Sequence, residues 1–334
     1  MLRLFGLLIL AGTLLLGGLW VDMQSFLHRP MDLQGVTLTY TVVPGTTLQT
    51  ISQDFHKADI LSNPEYLIWE AYRRSAANRI QAGEYEIKPG TTPLTFLEML
   101  LEGGVARHSL TIVEGWTFDD MMEALRAHPK LNHTLKEHDR AAIMARLGHP
   151  ELDPEGIFFP DTYYFSGGTP DIEILNRAFT KMQNKLGNAW QARDPDLPYH
   201  SSYEALIMAS IIEKETAQPQ ERAQVAGVFV RRLKLGMLLQ TDPTVIYAMG
   251  KQYNGNIRRS DLQIDNPYNT YRYQGLTPTP IAMPSETAIL AALHPAGGEA
   301  LYFVAKGDGS HHFSTSYEEH HSAVNQYQRK AANK

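Results

Sequence analysis

Hydrophobic and polar positions change their spacing several times along the chain. From Leu4 to Val21 the residues are uncharged and largely apolar. That run approaches the roughly 20 residues a helix needs to cross a bilayer. A cleaved signal peptide has a shorter apolar core of about 7–15 residues and a small-x-small cleavage site. Here the run leaves through Trp20-Val21-Asp22-Met23, bulky where small residues are needed. An uncleaved anchor over residues 1–21 is expected, with Arg3 and the amino terminus in the cytoplasm and the remainder outside it. Residues 22–35 read as a short linker. Val36, Leu38, Tyr40 and Val42 then alternate with threonines, a strand pattern. Pro44-Gly45 makes a turn, and Thr46 or Thr47 can cap a helix carrying Leu48, Ile51 and Phe55. A second helix is expected from Pro64 to about Ser75, with Tyr66, Leu67, Trp69 and Tyr72. A second strand follows in Ala82–Gly90, which completes a βααβ unit over 36–90.

After Thr91 the period is helical: Phe96, Leu97, Leu100 and Leu101 lie on one face, before a Gly103-Gly104 stop. "HSLTIVEGWT" predicts a strand and turn, and a polar helical stretch runs on to about Leu147. Residues 91–150 thus connect to a larger α+β domain over 151–327, and 328–334 form a basic tail. "EGIFFPDTYYF" is dense in aromatics around Asp161 and Tyr163. Aromatics beside a carboxylate suit a sugar ring, and they suit a packed core equally.

"SSYEALIMASIIEKET" opens on a capping box, Ser201 with Glu204. It then runs apolar nearly all round, as a buried helix does. At about 100° per residue, Glu215 falls within about 60° of Met208, Ile211 and Ile212, whereas Glu213 points about 160° away. The two acids cannot act as a pair, and only one can face a given cleft. A carboxyl at the end of an apolar face is partly desolvated, which raises its pKa and suits a general acid for glycosidic cleavage. A plain ion pair with Lys214, Arg222 or an arginine of "FVRRLK" is the alternative. In "LQTDPTVIYAMG", Asp242 before Pro243 is a good N-cap, while Gln240, Thr241 and Tyr247 can line a cleft. Tyr268, Asn269 and Tyr271 of "YNTYRYQG" suit a glycan groove or a packed loop.

Composition trims these readings. The 334 residues carry a net charge of −6 and no cysteine. Disulfides, thiolate metal sites, a cysteine nucleophile and a lipid-bearing cysteine are excluded, and nothing favours nucleic acid. His311, His312, His320 and His321 match no metal spacing, so no metal and no cofactor are expected.

The segments "YTVVPGTTLQTISQDF" and "IQAGEYEIKPG" resemble a LysM module, a small carbohydrate-binding unit of cell-wall proteins. "ASIIEKETAQPQERAQVAGVFVRRLKLGMLLQTDPTVIYAMG" resembles the core of the membrane-anchored endolytic murein transglycosylases, the MltG or YceG-like family. "VEGWTFDD", "EGIFFPDTYYF", "NPYNTYRYQGLTPTPIAMPS" and "LYFVAKGDGSHHFSTSYEEHHSAV" extend the resemblance over nearly the whole chain. It implies a lyase that cuts peptidoglycan glycan strands internally, between N-acetylmuramic acid and N-acetylglucosamine, without water. It also implies that the second glutamate of Glu-Lys-Glu, Glu215, is catalytic, first as acid and then as base. The muramyl 6-hydroxyl is the nucleophile, so no second carboxylate is required. Strand termination at the inner membrane, beside peptidoglycan synthases as partners, is the expected setting. Two positions depart from the family pattern: Thr279 stands for a glycine, and His294 for an asparagine. A water-using hydrolase and a non-catalytic wall-binding scaffold are the alternatives.

Overall fold

The structure, a computed structural model, describes residues 2–103, 107–135 and 139–329, without the side chains of 2–11, 14, 107 and 329. The chain is α+β, as expected, and divides into two compact units. One comprises residues 1–109 with 164–169, the other 110–163 with 170–334.

The first unit begins with one long helix, α1 (Leu2–His28). Much of the expected anchor lies on side chains outside the described residues. Among the described residues, no helix is long and apolar enough to cross a membrane. The stretch 22–35, read as a linker, carries the last turns of α1, and Met23, Leu27, Met31 and Leu33 are buried in the core of this unit. Strand β1 (Leu38–Val42), helices α2 (Leu48–Lys57) and α3 (Pro64–Arg73) and strand β2 (Gly83–Ile87) follow in the predicted order. β1 and β2 pair antiparallel, from Leu38 opposite Ile87 to Val42 opposite Gly83. The Thr47 hydroxyl caps α2 by accepting from the Thr50 N–H. Ile51, Phe55 and Leu67 are buried, whereas Trp69 and Tyr72 of α3 are exposed. Trp69 packs edge-on against Trp20 of α1, with ring centroids 6.2 Å apart. Helix α4 (Pro93–Glu102) buries Phe96, Leu97 and Leu100 and ends at Gly103 in the left-handed conformation; Gly104 lies outside the described residues.

The chain passes between units in β3 (Arg107–Thr111) and β4 (Thr162–Ser166), which form a two-stranded sheet. The expected polar helical stretch holds two helices, α5 (Phe118–Ala127) and α6 (Arg140–Arg146), each started by its own cap, Thr117 and Asp139. The second unit is built on α7 (Asp171–Gln191), α8 (Ser202–Glu215), α9 (Arg222–Lys234), α10 (Asp242–Met249) and α11 (Glu286–Leu293). Helix α8 lies among the other four. All residues from Ala205 to Ile212 are buried, which explains why its sequence is apolar all round. Its start differs in one detail. The Ser201 hydroxyl accepts from the Glu204 N–H, but the Glu204 carboxylate takes the N–H of His200 rather than that of Ser201. A hairpin of β5 (Tyr302–Ala305) and β6 (His311–Ser314) leads to α12 (Tyr317–Val324).

Candidate active site

Helix α8 ends at Glu215, with Pro219 close behind. The two glutamates of its last turn face different surroundings. Glu213 is buried and ion-paired: its Oε1 lies 2.8 Å from Nη2 of Arg222, and the two side chains are 7% and 8% exposed. Its Oε2 accepts the backbone N–H of Ser285 at 2.9 Å and also the Ser285 hydroxyl. Every lone pair that matters is taken, so Glu213 joins α8, α9 and the N-cap of α11.

Glu215 has no ion pair among the described residues. Its one hydrogen bond there comes from the Thr241 hydroxyl, just before α10. The carboxyl is enclosed by protein, and the side chain reaches solvent through the cavity it lines. Burial pushes its pKa above the ordinary carboxylate value. The Thr241 hydrogen bond opposes that, the Asp242 charge adds to it, and the more distant charges of His311 and Arg232 oppose it. The cavity is about 430 Å³ and includes Gln240, Asp242, Tyr271, Arg232, Tyr302 and His320. A desolvated acid with one neutral donor, facing a sugar-sized space, is equipped to keep its proton above the ordinary carboxylate range and to give it to a ligand oxygen.

The sequence profile of the YceG-like family matches residues 40–326. The chain belongs to the YceG-like family. It is 30% identical to the endolytic murein transglycosylase of Bacillus subtilis, over 94% of this chain and 91% of that one. It is 28% identical to the endolytic murein transglycosylase of Streptococcus pneumoniae serotype 2, over 87% of this chain but only 58% of that longer protein. A crystal structure of a YceG-like protein from Listeria monocytogenes superposes with a TM-score of 0.55 at 28% identity, covering 86% of this chain and 99% of that one.

In this YceG-like chain the other expected site residues separate into three groups. Gln240, Asp242 and Tyr271 share the Glu215 cavity. Thr241 is buried and its hydroxyl is committed to Glu215, so it can act on a ligand only through that carboxyl. Gln240 is held at φ 50°, a left-handed backbone that costs a non-glycine residue about 1–2 kcal/mol. Asp242 does not cap α10. Thr241 occupies the cap position without a side-chain hydrogen bond, and the Asp242 carboxylate instead accepts the Tyr271 hydroxyl at 2.5 Å.

Tyr247 lies on a second cavity of about 770 Å³, beyond α10, with Glu155, Arg140 and Lys214. Its hydroxyl donates to Glu155 at 2.9 Å, and its ring meets Tyr268, centroids 4.9 Å apart. The Tyr268 hydroxyl pairs with the hydroxyl of Thr279 at 2.8 Å. Asn269 is fully buried and braces its own loop, donating to the carbonyls of Leu262 and Ile264. Asp161 and Tyr163 border neither cavity. Asp161 pairs with Lys181. Tyr163 is core, its hydroxyl donating to the Phe159 carbonyl at 2.7 Å.

Sequence reasoning gave Tyr302 and Glu155 no role, met Arg232 only as a possible ion-pair partner in "FVRRLK", and weighed His320 only as a metal ligand. Glu155 is completely buried, accepts the Phe118 N–H at 2.8 Å and has its pKa raised by burial. The one local signal for it was a carboxylate opening an apolar aromatic run.

Proposed function

We propose that this chain is a membrane-anchored endolytic peptidoglycan lytic transglycosylase with Glu215 as its acid and base. The observation that carries the reading is the enclosed Glu215 carboxyl in a cavity, with a pKa raised by burial and no cationic partner in contact. The relatives named for murein transglycosylation supply the substrate class.

The chemistry follows from one carboxyl. Protonated Glu215 donates to the glycosidic oxygen between N-acetylmuramic acid and N-acetylglucosamine, and the leaving sugar departs with its hydroxyl restored. The resulting Glu215 carboxylate takes the proton of the muramyl 6-hydroxyl as that oxygen closes on the anomeric carbon. A 1,6-anhydro end forms and the enzyme regains its proton. Water is not consumed. The Thr241 hydrogen bond stabilises the carboxylate that exists between the two transfers. Gln240, Asp242 and Tyr271 lie where they can meet sugar hydroxyls.

The setting belongs to the same reading. The apolar run to Val21 anchors the chain in the cytoplasmic membrane with its amino terminus inside, and both units work on the periplasmic side. There the cuts terminate nascent strands beside the synthases that extend them. The βααβ part is LysM-like; a groove of about 400 Å³ between its first loop, at Thr46 and Thr47, and Tyr72, Asn78 and Ile80 offers a strand a place to lie.

Digestion of purified glycan strands by the full-length chain, read by mass spectrometry, tests the proposal. The expected products are lighter by one water than hydrolytic ones. Glu215→Gln should lower the rate by about 10²–10⁴-fold. Products with reducing ends, or a Glu215→Gln protein as active as the parent, would sink it.

A further inference from the structure

Part of the cavity wall is made by α9, the β5–β6 hairpin and α12, and it holds hydrogen-bonding capacity that the protein does not use. Arg232 of α9 is only 7% exposed. Its Nε donates to the Leu301 carbonyl at 2.7 Å and its Nη1 to the Leu239 carbonyl at 2.8 Å. These backbone acceptors fix the plane of the guanidinium. Nη2 finds no acceptor among the described residues, and no carboxylate lies within ion-pair distance of this cation there. Arg232 and Glu215 line the same cavity without touching. The guanidinium lies over the Tyr302 ring, 5.1 Å from its centroid.

His320 of α12 stacks on that same ring, with centroids 5.3 Å apart and planes 24° from parallel. Its Nδ1 is buried and has no hydrogen-bond partner. Burial, then the Arg232 charge, then His321 lower its pKa, so the imidazole is neutral near neutral pH. A neutral imidazole offers one donor and one acceptor. A buried polar atom left unpaired is costly and rare in native structures. His320 Nδ1 is one such atom, and the Arg232 guanidinium, a fixed cationic donor, lies on the same aromatic ring in the cavity of the candidate acid.

We propose that Arg232 and His320 form an amide-recognition subsite on Tyr302, with Arg232 Nη2 donating to an acyl carbonyl oxygen and the neutral His320 imidazole accepting the amide N–H. The inference rests on the reading that the substrate is an N-acylated aminosugar polymer. A sugar hydroxyl donates and accepts through a single oxygen, whereas an amide separates the two roles: its oxygen only accepts and its N–H only donates, which matches a guanidinium that only donates and a separate ring nitrogen that accepts. Two substrate amides share this chemistry: the acetamido group of either sugar, and the lactyl amide that only the muramyl residue carries.

Binding to the full-length Glu215→Gln protein separates this subsite from catalysis. Chitotetraose, with acetamido groups, is compared with cellotetraose, which has hydroxyls in their place, and with purified glycan strands bearing stem peptides. An acetamido subsite predicts that chitotetraose binds about tenfold or more tightly than cellotetraose. Adding His320→Phe, which keeps the stack and removes the ring nitrogen, or Arg232→Lys, which keeps the charge and removes the fork, should lower that preference by about tenfold. If chitotetraose shows no preference but the same variants weaken binding to glycan strands, the amide read is the lactyl one. Arg232→Lys also strips donors from buried carbonyls; if it fails to fold, His320→Phe carries the test alone. A folded His320→Phe protein that binds chitotetraose and glycan strands as its parent does overturns the inference. Failure of the transglycosylase reading would show separately, as absence of anhydro products from the wild-type chain.

Discussion

Replacing Glu213 by glutamine tests the division of labour at the end of α8. In the native chain its Oε1 meets Arg222 Nη2 at 2.8 Å and its Oε2 receives two donors from Ser285. Glutamine keeps one acceptor oxygen and turns the other side into a donor. A donor then faces either Arg222 or Ser285, and the Arg222 charge stays buried without a counter-charge. Breaking a buried ion pair from one side costs about 3–5 kcal/mol. Arg222 retains hydrogen bonds to the hydroxyls of Ser285 and Thr287, so the lower end, about 3 kcal/mol, is expected. For a unit of this size that lowers the melting midpoint by about 6–12 °C, taking about 2–4 °C per kcal/mol. Thermal unfolding followed by circular dichroism measures it. Strand cleavage well below both midpoints should persist. A Glu213→Gln protein that melts with the wild type yet has lost cleavage would refute the assignment of Glu213 to structure and Glu215 to chemistry.

Glu215→Gln should behave in the opposite way. Because folding raises the Glu215 pKa, the unfolded chain releases that proton first as pH rises. Wild type therefore loses stability between the ordinary carboxylate range and the raised value. The glutamine variant should be at least as stable at neutral pH, with the difference vanishing in acid; a less stable variant at neutral pH would contradict the burial argument. Thr241→Val removes the donor that favours the Glu215 carboxylate, so the alkaline limb of kcat against pH should move upward. An unmoved limb would mean that another group titrates. Gly156 sits at φ 73°, and an added Cβ would come within 2.3 Å of the Pro280 side chain and 2.8 Å of the Ala282 carbonyl. Gly156→Ala should cost at least about 2 kcal/mol and about 4–8 °C in melting midpoint; a midpoint unchanged within error would argue against so tight a contact.

What could be read in advance follows the range of the forces involved. Helical rotation is a local rule, so the opposed directions of Glu213 and Glu215 were legible from ten residues. The order of strands and helices between Val36 and Gly90 was legible for the same reason. The partner of Glu213 at Ser285 lies 72 residues away, and no spacing rule reaches that far. Asp242 shows a local preference overruled: a good capping residue gave up the cap because Tyr271, 29 residues on, offered its hydroxyl. Asp161 and Tyr163 had the composition of a sugar site, but the fold spent Tyr163 on the core. Tyr302 and His320 were hidden because only the hairpin and α12 bring them to the ring of contacts around Arg232.

The continuity of α1 has a mechanical consequence. Its backbone stays helical to His28, and Met23 and Leu27 are seated in the core of the first unit. From Val21 to Leu27 the rise is about 9 Å at 1.5 Å per residue. A chain anchored through the run ending at Val21 therefore carries no swivel between rod and block. Every tilt of the rod becomes a tilt of the block, and under the anchored reading proposed above the height of the first unit over a bilayer would be set by a few turns of helix. Inserting one alanine after Val21 would turn that unit by about 100° about the rod, like a key in a lock, while leaving the composition of both parts untouched.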